Sequence, residues 1–224
     1  MIQDIWPKHL DNQYKNLKPG KGDTVFYFQG SSLLARPSGH FNSQNPEENV
    51  LIYPQYDEFV QGIKSSYGDK AVDNFEFIYL LSIDEEHFFL ARKTGSLERG
   101  TFLGEMADSA VHKDMYSFVR GYEFIGVDSF RKAQPREHAY AAITAFHLYG
   151  WYRDNHFCGR CGKPLKHDDK QRMLRCDCCK NMVFPKICPA VIVAVTDKDR
   201  ILLTKYAGRT YRNYALIAGF TEIG

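Results

Sequence analysis

The sequence predicts an α+β protein with a β-rich N-terminal domain, a connecting helix, a zinc ribbon and the first strands of a further mixed α/β domain. Three observations carry this reading. Aromatic-rich apolar runs bounded by turn residues fill the first half. One long stretch, 135–154, has helical periodicity. Two Cys-x-x-Cys pairs, Cys158/Cys161 and Cys176/Cys179, flank a short polar segment. The implied boundaries are 1–132, 133–156, 157–188 and 189–224.

Thr24 to Gln29 (TVFYFQ) reads as a strand stopped by Gly30, and Ser32 to Ala35 as its hairpin partner. Residues 37–48 are loop-forming. Tyr56 to Tyr67 has the spacing of a short helix. Phe75 to Ile83 and His87 to Ala91 form the clearest hairpin, joined through Asp84-Glu85-Glu86. Phe102 to Met106 is a short element, and Phe118 to Val127 is a strand region interrupted by Gly121. The half is therefore antiparallel or mixed β. Its histidines, His40, His87 and His112, read as surface or structural residues rather than metal ligands.

Pro135 suits a first helical position and Glu137 the positive end of the helix dipole. Ala139, Ala142, Ile143, Phe146 and Tyr149 then recur on one face, the pattern of a helix packed on a core and delivering the chain into the cysteine segment.

A two-residue gap lets one turn aim two thiolates at one ion, and Zn²⁺ favours four such ligands in a tetrahedron. Gly159 and Gly162 give the backbone room to fold back on the sulfurs. Cys178 competes with Cys176 for the third position. Cys176 is preferred because it preserves the gap of the first pair. Cys188 reads as a small buried thiol. Disulfides are disfavoured because the N-terminus shows no basic region followed by an apolar one, which points to a reducing, cytoplasmic setting.

After Pro185, Ala190 to Thr196 is a continuous apolar run of the kind found in buried strands. Asp197 to Arg200 is a turn, Ile201 to Lys205 reads as the antiparallel partner of the 190–196 strand, and Tyr214 to Ile217 as a third short strand.

The chain has 224 residues and a formal charge of +2, with 44% hydrophobic and 25% charged residues. A tetrathiolate zinc site would bring it close to neutral, against a broad basic nucleic-acid surface. No apolar segment approaches membrane-spanning length, so no membrane partner is expected.

The last third resembles the NADH pyrophosphatases of the Nudix hydrolases. The residues are Phe157-Cys158-Gly159-x-Cys161-Gly162, the second cysteine pair, Phe184-Pro185, the apolar strand and Ala218-Gly219-Phe220, preceded by Trp151-Tyr152-Arg153 at the helix end. The resemblance implies hydrolysis of the pyrophosphate of NAD(H) to NMN(H) and AMP, and removal of NAD caps from RNA. It also implies structural Zn²⁺, catalytic Mg²⁺ or Mn²⁺, and a homodimer. Phe220 resembles the family's base-stacking aromatic, Ala218 a backbone contact in that pocket, and Arg131 a substrate-binding arginine. Gln171 and Phe184 stand where the family places a glutamate and a tyrosine, which weakens the corresponding substrate contacts.

Gly219 resembles the first glycine of the family's catalytic box, whose first glutamate follows six positions later. Gly224 falls one residue short of it, so no catalytic residue is assigned and this 224-residue chain is expected to be inactive. The alternative functions are a nucleic-acid-binding zinc ribbon, using Lys163, Lys166, Lys170, Arg172 and Arg175, or a non-catalytic dimerisation module.

Overall fold

A computed structural model describes residues 2–39, 50–94, 117–208 and 212–222. Phe102 to Met106, His40, His112 and most of the loop read at 37–48 lie outside the described residues. Two compact units are present, Met1–Phe184 and Pro185–Gly224.

The first unit is built on a seven-stranded sheet. Its strands are β1 (Leu10–Asp11), β2 (Thr24–Gln29), β3 (Ser32–Pro37), β4 (Leu51–Ile52), β5 (Phe75–Ile83), β6 (Glu86–Lys93) and β7 (Glu123–Gly126). The order is β1-β5-β6-β2-β3-β4, with β7 also on β3. β5 and β6 form the expected hairpin, turning at Asp84, whose φ of 52° is the left-handed value such tight turns require. β2 and β6 run parallel, pairing Thr24 with Phe88 and Tyr27 with Ala91. Sequence alternation gives each strand its faces but not its neighbours, so this pairing was not legible beforehand.

Alternation sorts the side chains onto two cores. Phe26 and Phe28 point to one side of β2, Val25 and Tyr27 to the other; Phe88 and Leu90 oppose Phe89 and Ala91 on β6 in the same way. A bulge between Tyr79 and Leu81 places both Leu80 and Leu81 on the first side.

Helix α1 (Tyr56–Tyr67) covers the second side through Phe59 and Ile63. The Gln55 N–H donates to Glu58 at 3.1 Å, satisfying an amide at its start. Helix α2 (Arg136–Asp154) covers the first side: Tyr149 stacks on Phe28 with centroids 5.0 Å apart. It is thus one layer of the unit's own core, which explains why so many of its residues are buried. Pro135 is the N-cap, one position earlier than its predicted place.

The cysteine segment also belongs to this unit. β8 (Leu165–His167), β9 (Leu174–Cys176) and β10 (Met182–Val183) form an antiparallel sheet in the order β10-β9-β8. Leu174 is buried with the α2-side core, and Leu165 and Val183 pack against it.

The second unit contains β11 (Ala190–Val193) paired antiparallel with β14 (Ile217–Phe220), and a hairpin of β12 (Thr196–Asp197) with β13 (Arg200–Ile201). The turn at Asp197 to Arg200 forms as expected. The strand Ala190–Val193 is not buried, contrary to its apolar sequence: Ile192 is 70% exposed. Its partner is β14 rather than residues 201–205. An apolar run reports that a strand suits a buried place, and a two-stranded sheet offers no second layer to provide one.

Candidate metal centre

The cysteine ribbon is built from two copies of one turn. In the first, Cys158 N–H donates to Lys163 O (2.8 Å) and Gly162 N–H to Cys158 O (2.8 Å). In the second, Cys176 N–H donates to Asn181 O (2.9 Å) and Lys180 N–H to Cys176 O (3.0 Å). The fourth residue after each leading cysteine turns left-handed, Gly162 at φ 70° and Lys180 at φ 59°. Glycine adopts that conformation freely; Lys180 holds it with its ammonium donating to Asp177 O at 2.7 Å.

These turns bring the sulfurs of Cys158, Cys161, Cys176 and Cys179 within 4.8 Å of one another. Cys158 and Cys179 are 3.6 Å apart, and Cys161 and Cys176 3.4 Å. A tetrahedral zinc with Zn–S bonds of about 2.3 Å sets its sulfurs about 3.8 Å apart, so the four thiols fit that ion. Cys178 is exposed and lies outside the cluster; the four sulfurs that converge are those of the two pairs with the two-residue gap. Cys188 is exposed, not the buried thiol its apolar neighbours suggested.

The surroundings favour thiolates unequally. The Arg160 N–H, 3.4 Å from the Cys158 sulfur, lowers that thiol to about 6, and Asn181 Nδ2 donates to the same sulfur at 3.6 Å. Cys176 is lowered chiefly by the Cys179 amide. The Lys163 amide pulls Cys161 down, yet the neighbouring Cys176 and Cys179 sulfurs outweigh it and raise it to about 12. Four sulfurs this close do not all ionise without a cation among them, which a zinc ion would supply.

The ribbon is tied to α2 through His167 and to the rest of the unit through Arg172. Tyr152 Oη lies 2.7 Å from His167 Nε2. Arg172 donates to the carbonyl of Leu80 and, at 3.3 Å, to that of Asn12. Arg92 sits over the Tyr152 ring, 5.0 Å from its centre. Arg172 is therefore turned inward and committed to protein carbonyls, and Lys166 is paired with Asp177 at 2.6 Å. Two of the five cations available for a nucleic-acid reading are engaged within the protein.

The substrate-contact candidates fall in both units. Arg131 lies in the 3₁₀ turn Val127–Lys132. Gln171 is exposed between β8 and β9, its N–H donating to Asp168 Oδ1 at 3.0 Å. Phe184 closes the first unit, 48% exposed. In the second, Ala218 pairs with Ile192 and Phe220 with Ala190; the Phe220 side chain is 78% exposed. Among the described residues the cysteine cluster is the one group of three or more His, Cys, Asp or Glu placed to hold an ion. The described carboxylates thus do not form an oxygen-rich Mg²⁺ or Mn²⁺ site. No described helix is long and apolar enough to cross a membrane.

The fold and cluster define the class: a β-rich α+β chain carrying a tetracysteine ribbon that could hold a metal ion. Over 77 residues the chain is 34% identical to the NAD-capped RNA hydrolase NudC of Salmonella typhi and to that of Salmonella heidelberg (strain SL476). The match covers 34% of this chain and 30% of each relative, so the chain spans under a third of the length of the curated relatives it matches. This similarity supports, at the level of the family, the Nudix resemblance carried by the residues. No family model matches the chain.

Proposed function

We propose that the chain comes from a Nudix-type hydrolase that splits the pyrophosphate of NAD(H) into NMN(H) and AMP and removes NAD caps from RNA. The observation that carries this reading is the closed four-sulfur ribbon followed by the strand ending Ala218-Gly219-Phe220, together with the likeness to NudC hydrolases. Phe220, on a solvent-exposed strand end, would offer its ring face to the nicotinamide. Zinc would serve structure: closing the ribbon fixes Gln171 and Phe184 relative to α2. In the proposed protein, Mg²⁺ or Mn²⁺ stabilises the charge that builds on the phosphoryl oxygens. Hard cations need several carboxylates, and Glu222 is the acidic residue beside Gly219 in these 224 residues. The 224-residue polypeptide by itself is therefore proposed to be inactive. A homodimer in a reducing, cytoplasmic compartment completes the reading.

The test is to express the full reading frame that contains these residues and assay NADH with Mg²⁺ or Mn²⁺. Release of AMP and NMNH supports the proposal. A zinc-loaded, folded preparation that releases neither contradicts it, as would robust turnover by the 224-residue polypeptide for the inactive part.

A further inference from the structure

The two cysteine turns are built alike but differ at one matching position. Lys163 follows Cys158 at the same spacing as Asn181 follows Cys176. Each accepts the N–H of its leading cysteine on a backbone carbonyl, at 2.8 and 2.9 Å. Lys163 is exposed, whereas Asn181 is half-buried and reaches across to the other pair. Its Nδ2 donates to the Cys158 sulfur at 3.6 Å, an ordinary length for a sulfur acceptor.

Four thiolates on one divalent cation leave a net charge of about −2. Two of those sulfurs belong to buried residues, Cys158 at 2% exposure and Cys176 at 0%. Buried charge of this kind needs donors aimed at it. The Arg160 N–H, 3.4 Å from the Cys158 sulfur, comes from that cysteine's own turn and adds nothing between the turns. The Asn181 amide comes from the other turn.

The Asn181 backbone is fixed on both sides. Its carbonyl holds Cys176, and the next residue, Met182, opens β10 and pairs with Arg175. The amide has one favourable orientation, because a thiolate accepts from Nδ2 and repels Oδ1. One residue thus joins the backbone of Cys176 to the sulfur of Cys158.

We propose that Asn181 is a positioning residue of the metal centre, whose side-chain amide clamps the two cysteine pairs together and damps the nucleophilicity of the Cys158 thiolate. The proposal rests on the ribbon holding zinc. Hydrogen bonds from outside the ligand set orient the ligands and tune the metal, and their loss costs about 10–100-fold in metal affinity. The same bond draws electron density from the sulfur, which protects a zinc-bound thiolate from electrophiles.

The test compares variants of the 224-residue chain. In competition with a zinc chelator, Asn181→Ala should bind zinc about tenfold more weakly than the wild type. Asn181→Asp keeps the shape of the side chain but offers acceptors alone, and should be weaker still. A loss shared by both variants is therefore not a packing effect. With Co²⁺ in place of zinc, the thiolate-to-metal charge-transfer absorption should move to longer wavelength in Asn181→Ala. Iodoacetamide treatment of the zinc-loaded proteins, mapped by mass spectrometry, should label Cys158 several-fold faster in Asn181→Ala, with Cys161, Cys176 and Cys179 little changed. Variants that bind zinc like the wild type would overturn the proposal and leave the ribbon standing. So would labelling that rises equally at all four sulfurs. A wild type that takes up no metal would overturn both.

Discussion

Tyr152 Oη and His167 Nε2 lie 2.7 Å apart and join the last turns of α2 to the first strand of the cysteine ribbon. Burial is the leading reason that His167 holds a pKa below its ordinary value. The folded protein thus keeps the imidazole neutral while the unfolded chain takes up a proton near its normal value of about 6.5. The stability this provides is complete above that value and is lost as pH falls through it. Melting temperature should drop from pH 7.5 to 5.5 more steeply in the wild type than in His167→Gln. Parallel curves would remove His167 as the cause.

Gly162 and Lys180 occupy matching left-handed positions in the two turns. A Cβ at Gly162 would meet nothing within 4 Å, so Gly162→Ala carries only the backbone penalty. Lys180 shows that a side chain is tolerated in this conformation. A loss of about 1–2 kcal/mol is expected in urea unfolding, with zinc retained.

Gly62 is a harder case. A Cβ there would come 2.8 Å from the Phe118 carbonyl oxygen and 3.2 Å from the Val119 Cα, both backbone atoms. Alanine gains about 1 kcal/mol of helix propensity over glycine. Overpacking against a fixed backbone costs about 1–3 kcal/mol and should win. Gly62→Ala is expected to be destabilising, and a raised melting temperature would show that residues 118–119 yield.

Cys176→Ser should bring zinc content below half an equivalent and unfold the ribbon, whereas Cys178→Ser should keep one equivalent. The pair of variants separates ligand from bystander, because both residues neighbour Asp177 in sequence yet only Cys176 joins the sulfur cluster.

Much of this was legible from local patterns. The apolar runs marked β2, β5 and β6, helical spacing marked α1 and α2, and paired cysteine spacing marked the cluster. Local patterns do not encode partners. The parallel β2–β6 pairing, the Tyr152–His167 contact and the inward turn of Arg172 depend on residues up to 160 positions apart. Arg172 looked like a surface cation because its sequence neighbours are polar; its role is set by the carbonyls of Asn12 and Leu80. Gln55-x-x-Glu58 is a further local signal in the sequence, marking the start of α1. Cys188 and β11 misled for a related reason: apolar neighbours describe what a residue would tolerate, not what covers it.

Everything functional here rests on the ribbon holding one zinc on four sulfurs. X-ray absorption at the zinc edge of freshly purified protein tests that directly. One zinc per chain is predicted, surrounded by four sulfur atoms at about 2.3 Å. Less than half an equivalent of zinc, or a shell dominated by nitrogen and oxygen, would contradict the account.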